Sequence, residues 1–359
     1  MRRRGVTAAA AAAVVLLGCT SPDPSVPPVE EPPAGTDDDP EADPEEQAAV
    51  DRDPAPDPPP ADDDVDLPDQ PDAASTFELS PDEVYPNAKQ LAADIAQAIT
   101  TYDRGQTLTE AVADLGLAPA DAEALAEQAA PLHHDDRWSR GKVVYPQMGG
   151  VTETDISVMV VTEQLIGLPD GVRTETRTLD VRLRVVGGQW QFRELADTGG
   201  TRPQEDVELT DAAVAVLEDE RIDLPDSARW DILKGHTDPT LLTVLARAAD
   251  QFSFGAVTLR YGHPENVFGT TRRSAHTRGQ AIDIHVVEGT EVIDDRADGS
   301  ATRRFVEWLY EQPEVEQVGS PWALDGFGGR SFTDIVHQDH VHVAIDNPQW
   351  GQAAIDARR

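Results

Sequence analysis

Seven of the nine histidines lie beyond residue 200, as His236, His263, His276, His285, His337, His340 and His342. Imidazole is the commonest metal ligand and the side chain that titrates nearest neutrality, so this crowding points to a site. Two short patterns carry it. The first is Ser274-Ala275-His276-Thr277-Arg278-Gly279-Gln280-Ala281-Ile282-Asp283. It sets an imidazole and a carboxylate seven positions apart, with Gly279 allowing a turn and residues 280–287 reading as a strand. A His on the incoming loop and an Asp on the strand can then meet over one metal ion, and a nitrogen-plus-carboxylate set suits Zn²⁺. The second pattern is His337-Gln338-Asp339-His340-Val341-His342-Val343-Ala344-Ile345. On a strand over 340–345, the two-residue period puts His340 and His342 on one face, about 7 Å apart at the backbone. One can ligate while the other stands beside an open coordination position. The halves lie 57 residues apart with no cysteine between them to compete.

The elements around these patterns predict an α+β chain. Residues 88–102 carry Leu91, Ile95 and Ile99 at helical spacing. Thr107-Leu108-Thr109-Glu110 is a capping box for a short helix stopped at Gly116, and 119–131 reads as a third helix. Residues 178–186 then alternate Leu179, Val181, Leu183 and Val185 with polar positions, Gly187-Gly188 turns the chain, and Trp190 and Phe192 continue on a return strand, with 158–161 as a partner. No motif in this accessory part carries chemistry. His133-His134-Asp135-Asp136 reads as a polar loop, because adjacent residues rarely converge on one ion. Gly199-Gly200-Thr201 and the acidic stretch after it read as an inter-domain linker. Helices are expected at 210–218 and after Asp238-Pro239, and a strand at 257–261. Asp294-Asp295-Arg296-Ala297-Asp298-Gly299 starts like a calcium loop but lacks its later acids and reads as a turn. The Gly-rich run from Asp325 to Arg330 has no phosphate-binding Lys and Ser/Thr; it is expected to rim the cleft.

Composition narrows the class. The chain has 359 residues, 67 acidic against 29 basic, for a formal charge of −38. Phosphate contacts need clustered Lys and Arg, so a nucleic-acid partner is excluded as an expectation. Residues 1–18 hold three Arg and no acid, then an apolar run too short to span a bilayer, which reads as a signal peptide. Leu16-Leu17-Gly18-Cys19 resembles a bacterial lipobox, which would make Cys19, the chain's single cysteine, the lipidation site. A lone cysteine allows no intrachain disulfide. Residues 20–76 carry 19 acidic side chains and 15 of the 28 prolines. Such a segment buries too little to fold and reads as a disordered spacer, reaching up to ~180 Å as a polyproline rod.

The 274–283 segment matches, at every fixed position, the S-x-H-x-x-G-x-A-x-D signature of the D-Ala-D-Ala metallopeptidases, a group that also includes lysostaphin-type endopeptidases and the hedgehog zinc domain. The H-x-x-H-x-H spacing of His337, His340 and His342 resembles the penicillin-insensitive murein endopeptidases of that group. The resemblance covers roughly residues 204–346. It implies an antiparallel sheet with helices and a Zn²⁺ held by His276, Asp283 and His342, the fourth position open to water. It also implies that Ser274 contacts substrate. For the base that moves the proton, two candidates stand. His340 lies on the ligand face. Asp339 lies three before His342, where D-Ala-D-Ala peptidases carry a Glu, although strand alternation points it away. His337 would orient substrate or stabilise the tetrahedral intermediate. Arg260 and Arg278 are candidate binders of a substrate carboxylate, against the plain reading of exposed Arg. His285 reads either as a neighbour of the ligands or as a surface residue, and His236 and His263 as structural.

Four segments result: a lipoprotein signal peptide over 1–18, a lipidated Cys with a disordered acidic Pro-rich linker over 19–76, a small α+β accessory domain over 77–200, and a zinc D-Ala-D-Ala-peptidase-like domain over 201–359. The expected function is hydrolysis of peptidoglycan stem or cross-link peptides by a protein on the extracellular face of a bacterial cytoplasmic membrane, bound there only through its lipid. A non-catalytic, zinc-stabilised module binding cell wall or a partner is the alternative; a metal-dependent hydrolase of another small amide is the third.

Overall fold

Pro86, whose fixed φ suits a first helical position, opens helix α1 (Pro86–Thr100), which buries Ala88, Ala92, Ile95, Ala96 and Ile99. The computed structural model describes residues 66–204, 207–326 and 329–350. The expected signal peptide, Cys19 and the spacer as far as residue 65 lie outside the described residues. Helix α2 (Leu108–Ala111) starts on the expected capping box, with both reciprocal hydrogen bonds between Thr107 and Glu110 present. Helix α3 (Pro119–Ala129) follows. Strands β1 (Ser139–Val151), β2 (Asp155–Leu168), β3 (Gly171–Val186) and β4 (Gln189–Asp197) then form an antiparallel sheet in chain order. Gly187 and Gly188, both at positive φ, make the two-residue turn between β3 and β4. Leu179, Val181, Leu183 and Phe192 point to one face and close a core with the three helices.

The rest of the chain builds a second layer. Thr210 caps helix α4 (Asp211–Glu218). After β5 (Ile222–Asp223) come α5 (Asp226–Leu233) and α6 (Pro239–Ala249), the latter capped by Asp238. Strands β6 (Phe254–Thr258), β7 (Ala281–Val287) and β8 (Thr290–Glu291) precede α7 (Ala301–Glu311). Strands β9 (Val315–Gly319), β10 (Ser331–Phe332) and β11 (Val341–Ile345) complete a sheet ordered β10-β9-β11-β7-β6-β5, with β8 beside β7. Its central pairs are antiparallel, but β5·β6 and β9·β10 are parallel, so the sheet is mixed rather than antiparallel throughout. The cause is the connections: α5 and α6 carry the chain from β5 to β6, the crossover that parallel pairing requires. Strand β6 begins three residues before its expected start, and all five of its positions are buried, leaving no alternation to mark the boundary.

The two layers meet through a small apolar cluster of Tyr145, Met159, Val161 and Val257. Polar ties flank it: the Thr178 hydroxyl donates to the Val257 carbonyl at 2.5 Å, and the Ser227 hydroxyl to that of Gly199 at 2.7 Å. The end of the expected spacer is also attached. Residues 66–76 form no helix or strand, yet Trp138 Nε1 donates to the Pro68 carbonyl at 3.0 Å, Arg140 Nε to Pro71 at 2.9 Å and Gln97 Nε2 to Ala74 at 2.9 Å. Outside a helix or sheet these carbonyls have no backbone partner, and side-chain donors of the folded part take them up. The calcium-like stretch is a turn, in which Asp295 accepts from the backbone and hydroxyl of Thr302 at the start of α7. Among the described residues no helix is long and apolar enough to cross a membrane.

Candidate metal centre

Strand pairing brings the two sequence patterns together. On the antiparallel pair β11·β7, His342 is the register partner of Asp283. On the other side of β7, Thr258 at the end of β6 is also paired with Asp283. His276 arrives on a single 3₁₀ turn, His276–Arg278, that stops at Gly279 with φ +70°. A Cβ at 279 would stand 1.8 Å from the His236 carbonyl oxygen, so both the left-handed backbone and the close approach demand glycine.

The three side chains converge. His342 Nδ1 lies 2.9 Å from Asp283 Oδ1 and 3.1 Å from His276 Nε2, and His276 Nε2 is 3.2 Å from Asp283 Oδ1. His276 Nδ1 donates to the Leu259 carbonyl at 2.6 Å, which fixes its tautomer and leaves Nε2 as a lone pair aimed inward. The other Asp283 oxygen accepts from Gln147 Nε2 at 2.9 Å. A bare imidazole nitrogen facing a carboxylate oxygen at that distance is a pair of acceptors, stable only with a cation or a proton between them. Burial alone would raise the Asp283 carboxyl; His276 and His340 outweigh it and hold it well below the usual range. Burial pushes His342 down to about 4, so it stands neutral and able to ligate near pH 7.

His263 joins the same cluster, against its expected structural role. His263, His276 and Asp283 each place one ligand atom within 4.8 Å of the others, a set able to hold a metal ion. The His263 ring stacks on His276 at 3.9 Å, nearly parallel, and its Nδ1 meets the Pro264 carbonyl at 2.7 Å. Burial, with His276 beside it, holds His263 well below its ordinary pKa. Four residues can therefore contribute to one ion: His276 and Asp283 belong to both sets, His342 to one and His263 to the other. His263 lies just past β6, and only the β6·β7 register reveals its neighbourhood.

His340 precedes β11 and is buried beside the cluster, its Nε2 3.9 Å from Asp283 Oδ1. Its Nδ1 donates to Asp339 Oδ1 at 2.6 Å. Burial would lower the His340 pKa, but Asp283 and the hydrogen bond to Asp339 raise it. Asp339 is not on the strand; it ends the 3₁₀ turn Val336–Gln338 with φ −113° and ψ 0°. Its carboxylate therefore escapes strand alternation and turns inward. Oδ2 accepts from Met148 N at 2.8 Å and pairs with Lys89 Nζ at 2.6 Å. His337 pairs with Asp334 through Nδ1 at 2.7 Å and stands 5.0 Å from the His340 ring.

A cleft opens over these groups, with His263, Asp283, His337, His340 and His342 in its floor and Ser274, Arg278 and Phe332 around them. The Ser274 hydroxyl accepts from His276 N at 3.3 Å, while Arg278 donates through Nε to Gln280 at 2.9 Å. Arg260 is not in this cleft; it lines a neighbouring hollow with Asp197, Tyr261 and Glu265, which shares His263. His285, two residues on from Asp283 along β7, is buried and stacks on Tyr145 at 4.8 Å rather than lining the cleft. His236 sits 5.9 Å from the Tyr261 ring and His133 donates to the Gln106 carbonyl, so neither enters the cluster.

One wall of the cleft comes from the part expected to carry no chemistry. Met148, Gly149, Gly150 and Val151, at the end of edge strand β1, line it. Gln147 on the same strand holds Asp283, and Lys89 on α1 holds Asp339. These residues have no local signature, since each meets its partner across more than 130 positions of sequence. Comparison of the chain with family models, with curated proteins and with solved structures returned no match.

Proposed function

We propose that this chain is a Zn²⁺-dependent peptidase acting on peptidoglycan stem or cross-link peptides, exported and anchored by lipid at Cys19. The observation that carries the reading is the convergence of His276 Nε2, Asp283 Oδ1 and His342 Nδ1 to within 2.9–3.2 Å, with the His340–Asp339 pair alongside. Tetrahedral zinc with bonds of about 2.0–2.2 Å holds its ligands about 3.4 Å apart, close to these separations. Two imidazoles and one carboxylate, with no cysteine among the described residues, are the donor set of a catalytic rather than a structural zinc. His276, Asp283 and His342 would hold the ion, with His263 as the stacked neighbour.

When bound, zinc supplies Lewis acidity toward the scissile carbonyl and lowers the pKa of water to about 7. The chain's own groups do the rest. His340 presents Nε2 to the centre, takes a proton there and returns it to the leaving amine. Asp339 is the residue that orients this ring, because His340, Lys89 and Met148 N occupy both its oxygens and leave none for substrate. His337, held by Asp334, flanks His340 where the substrate carbonyl must lie. Ser274 and Arg278 offer a hydroxyl and a guanidinium at the rim for the peptide's polar ends.

The test is release of free amine from purified muropeptides by the zinc-loaded full chain, abolished by His276→Ala. Zinc-loaded protein that is inert on every wall peptide would overturn the reading. If that protein still sedimented with intact wall, the non-catalytic binding module would replace it.

A further inference from the structure

A buried lysine needs an explanation. Lys89 lies on the face of α1 that otherwise packs Ala88, Ala92, Ala93 and Ala96, and none of it is exposed. Burying an ammonium is costly, and an ion pair in that position is weak evidence for stability, since well-packed apolar side chains often serve as well or better. The partners of Lys89 show where it acts. It pairs with Glu83 on one side and with Asp339 Oδ2 at 2.6 Å on the other. Glu83 is fixed in turn by the Tyr145 hydroxyl, which donates to its Oε1 at 2.8 Å. Asp339 uses its remaining oxygen to hold His340 Nδ1. A continuous buried chain, Tyr145–Glu83–Lys89–Asp339–His340, therefore runs from the four-stranded layer to the metal centre.

We propose that Lys89 and Glu83 are positioning residues of the centre: they lock the Asp339 carboxylate, and through it the tautomer and orientation of His340, so that the 77–200 segment completes the site. The proposal rests on the reading of His340 as the proton carrier. Two donors from that segment, Lys89 Nζ and Met148 N, meet on Oδ2 from different elements, and together they fix the carboxylate plane. Without Lys89 only the amide remains. One donor on Oδ2 fixes the carboxylate plane less firmly than two, and His340 loses part of the constraint that aims Nε2 at Asp283. Among the described residues of 201–359, His340 is the one whose side chain hydrogen-bonds the Asp339 carboxylate.

The experiment uses the zinc-loaded full chain with two variants, Lys89→Met and the double variant Glu83→Gln with Lys89→Met, which removes both charges at similar volume. Three readouts are taken: bound zinc, kcat and KM on muropeptides, and the ¹⁵N resonances of His340 in histidine-labelled protein, assigned by their absence in His340→Gln. We expect zinc content unchanged, kcat lowered about 10- to 100-fold with KM within about twofold, and loss of the Nδ1–H signature that wild type shows at His340. Folded, zinc-containing variants with wild-type kcat and wild-type His340 resonances overturn the proposal. So does a wild type whose His340 carries its proton on Nε2, a result needing no variant at all. If the wild type cleaves nothing, the peptidase reading fails, and the His340 resonances alone decide: their change in Lys89→Met supports positioning, and their constancy overturns it.

Discussion

His342 and Asp283 stand directly opposite each other on neighbouring strands, and their side chains close to 2.9 Å between Nδ1 and Oδ1. A cross-strand pair of this kind is set by main-chain register, not by loop geometry. Slipping β11 by one residue would turn Val341 or Val343 toward Asp283 and bury His342 in the core. The apolar alternates Val341, Val343 and Ile345, all fully buried, guard against that slip. Hence the two proposed ligands are held by the register of two paired strands, where a bound ion would keep its geometry.

Metal removal should therefore be readable as stability. At zinc about 1,000-fold above its Kd, binding stabilises the folded state by about 4 kcal/mol, a rise in Tm on the order of 10 °C for a chain of this size. Calorimetry with zinc and with a chelator should show that difference in wild type and its absence in Asp283→Ala and His342→Ala. An equal zinc response in Asp283→Ala would place the ion elsewhere.

Gln147→Leu tests whether the four-stranded layer tunes the centre. Gln147 Nε2 is the hydrogen bond on the outer oxygen of Asp283, while its Oε1 is buried without a partner. Leucine removes the bond and the orphaned oxygen together, so the metal-free protein should change little in stability. Zinc affinity should fall about 10- to 100-fold, as when an outer partner of a ligand is lost. Competition with a chromogenic chelator measures it, and an unchanged affinity would show that Gln147 only fills space.

How much of this centre is visible in the sequence follows from chain distance. His276, Asp283 and His342 announce themselves because short-range spacing and strand pairing bring them together, while His340, expected on the strand, stands just before it and still reaches the cluster. Asp339 misleads for the same reason: alternation presumes a strand, and residues 336–338 form a 3₁₀ turn instead. Lys89, Gln147 and His263 are silent, since each is placed by pairing or packing between distant segments. The fold shows the same division. The α2 capping box and the Gly187-Gly188 turn are local chemistry and appear where expected. The parallel edge pairs and the docking of residues 66–76 depend on long-range partners that no local pattern encodes.

Gly319 should prove intolerant of a side chain. It lies on β9 as the register partner of His342, and a Cβ there would stand 2.6 Å from His337 Cδ2 and 2.7 Å from Phe332 Cζ. Gly319→Ala should displace both rings into the cleft at a cost of about 1–3 kcal/mol. The expected result is at least a tenfold loss of kcat/KM on muropeptides with zinc still bound. Retention of full kcat/KM would mean that His337 has no part in turnover.

Asp339 gives a pH dependence with a definite sign. Burial would raise its carboxyl, but Lys89 and the His340 hydrogen bond outweigh burial and hold it down at about 2. In the unfolded chain an Asp titrates near 3.9. A carboxyl depressed on folding stabilises the native state fully above the unfolded value, and that stability is lost as pH falls through the window from about 4 to about 2. The full contribution is about 2.6 kcal/mol, of which about 2 is lost by pH 2. Urea unfolding of the metal-free chain, repeated for Asp339→Asn, isolates it from the other carboxylates. The stability gap between wild type and Asp339→Asn should shrink by roughly 2 kcal/mol between pH 5 and pH 2. In a Lys89→Met background the carboxyl loses its largest opposing charge, so the gap should begin closing at a higher pH. A gap that stays constant across the range would mean that Asp339 is not held ionised by Lys89, and that the salt bridge does not set the state of the residue that orients His340.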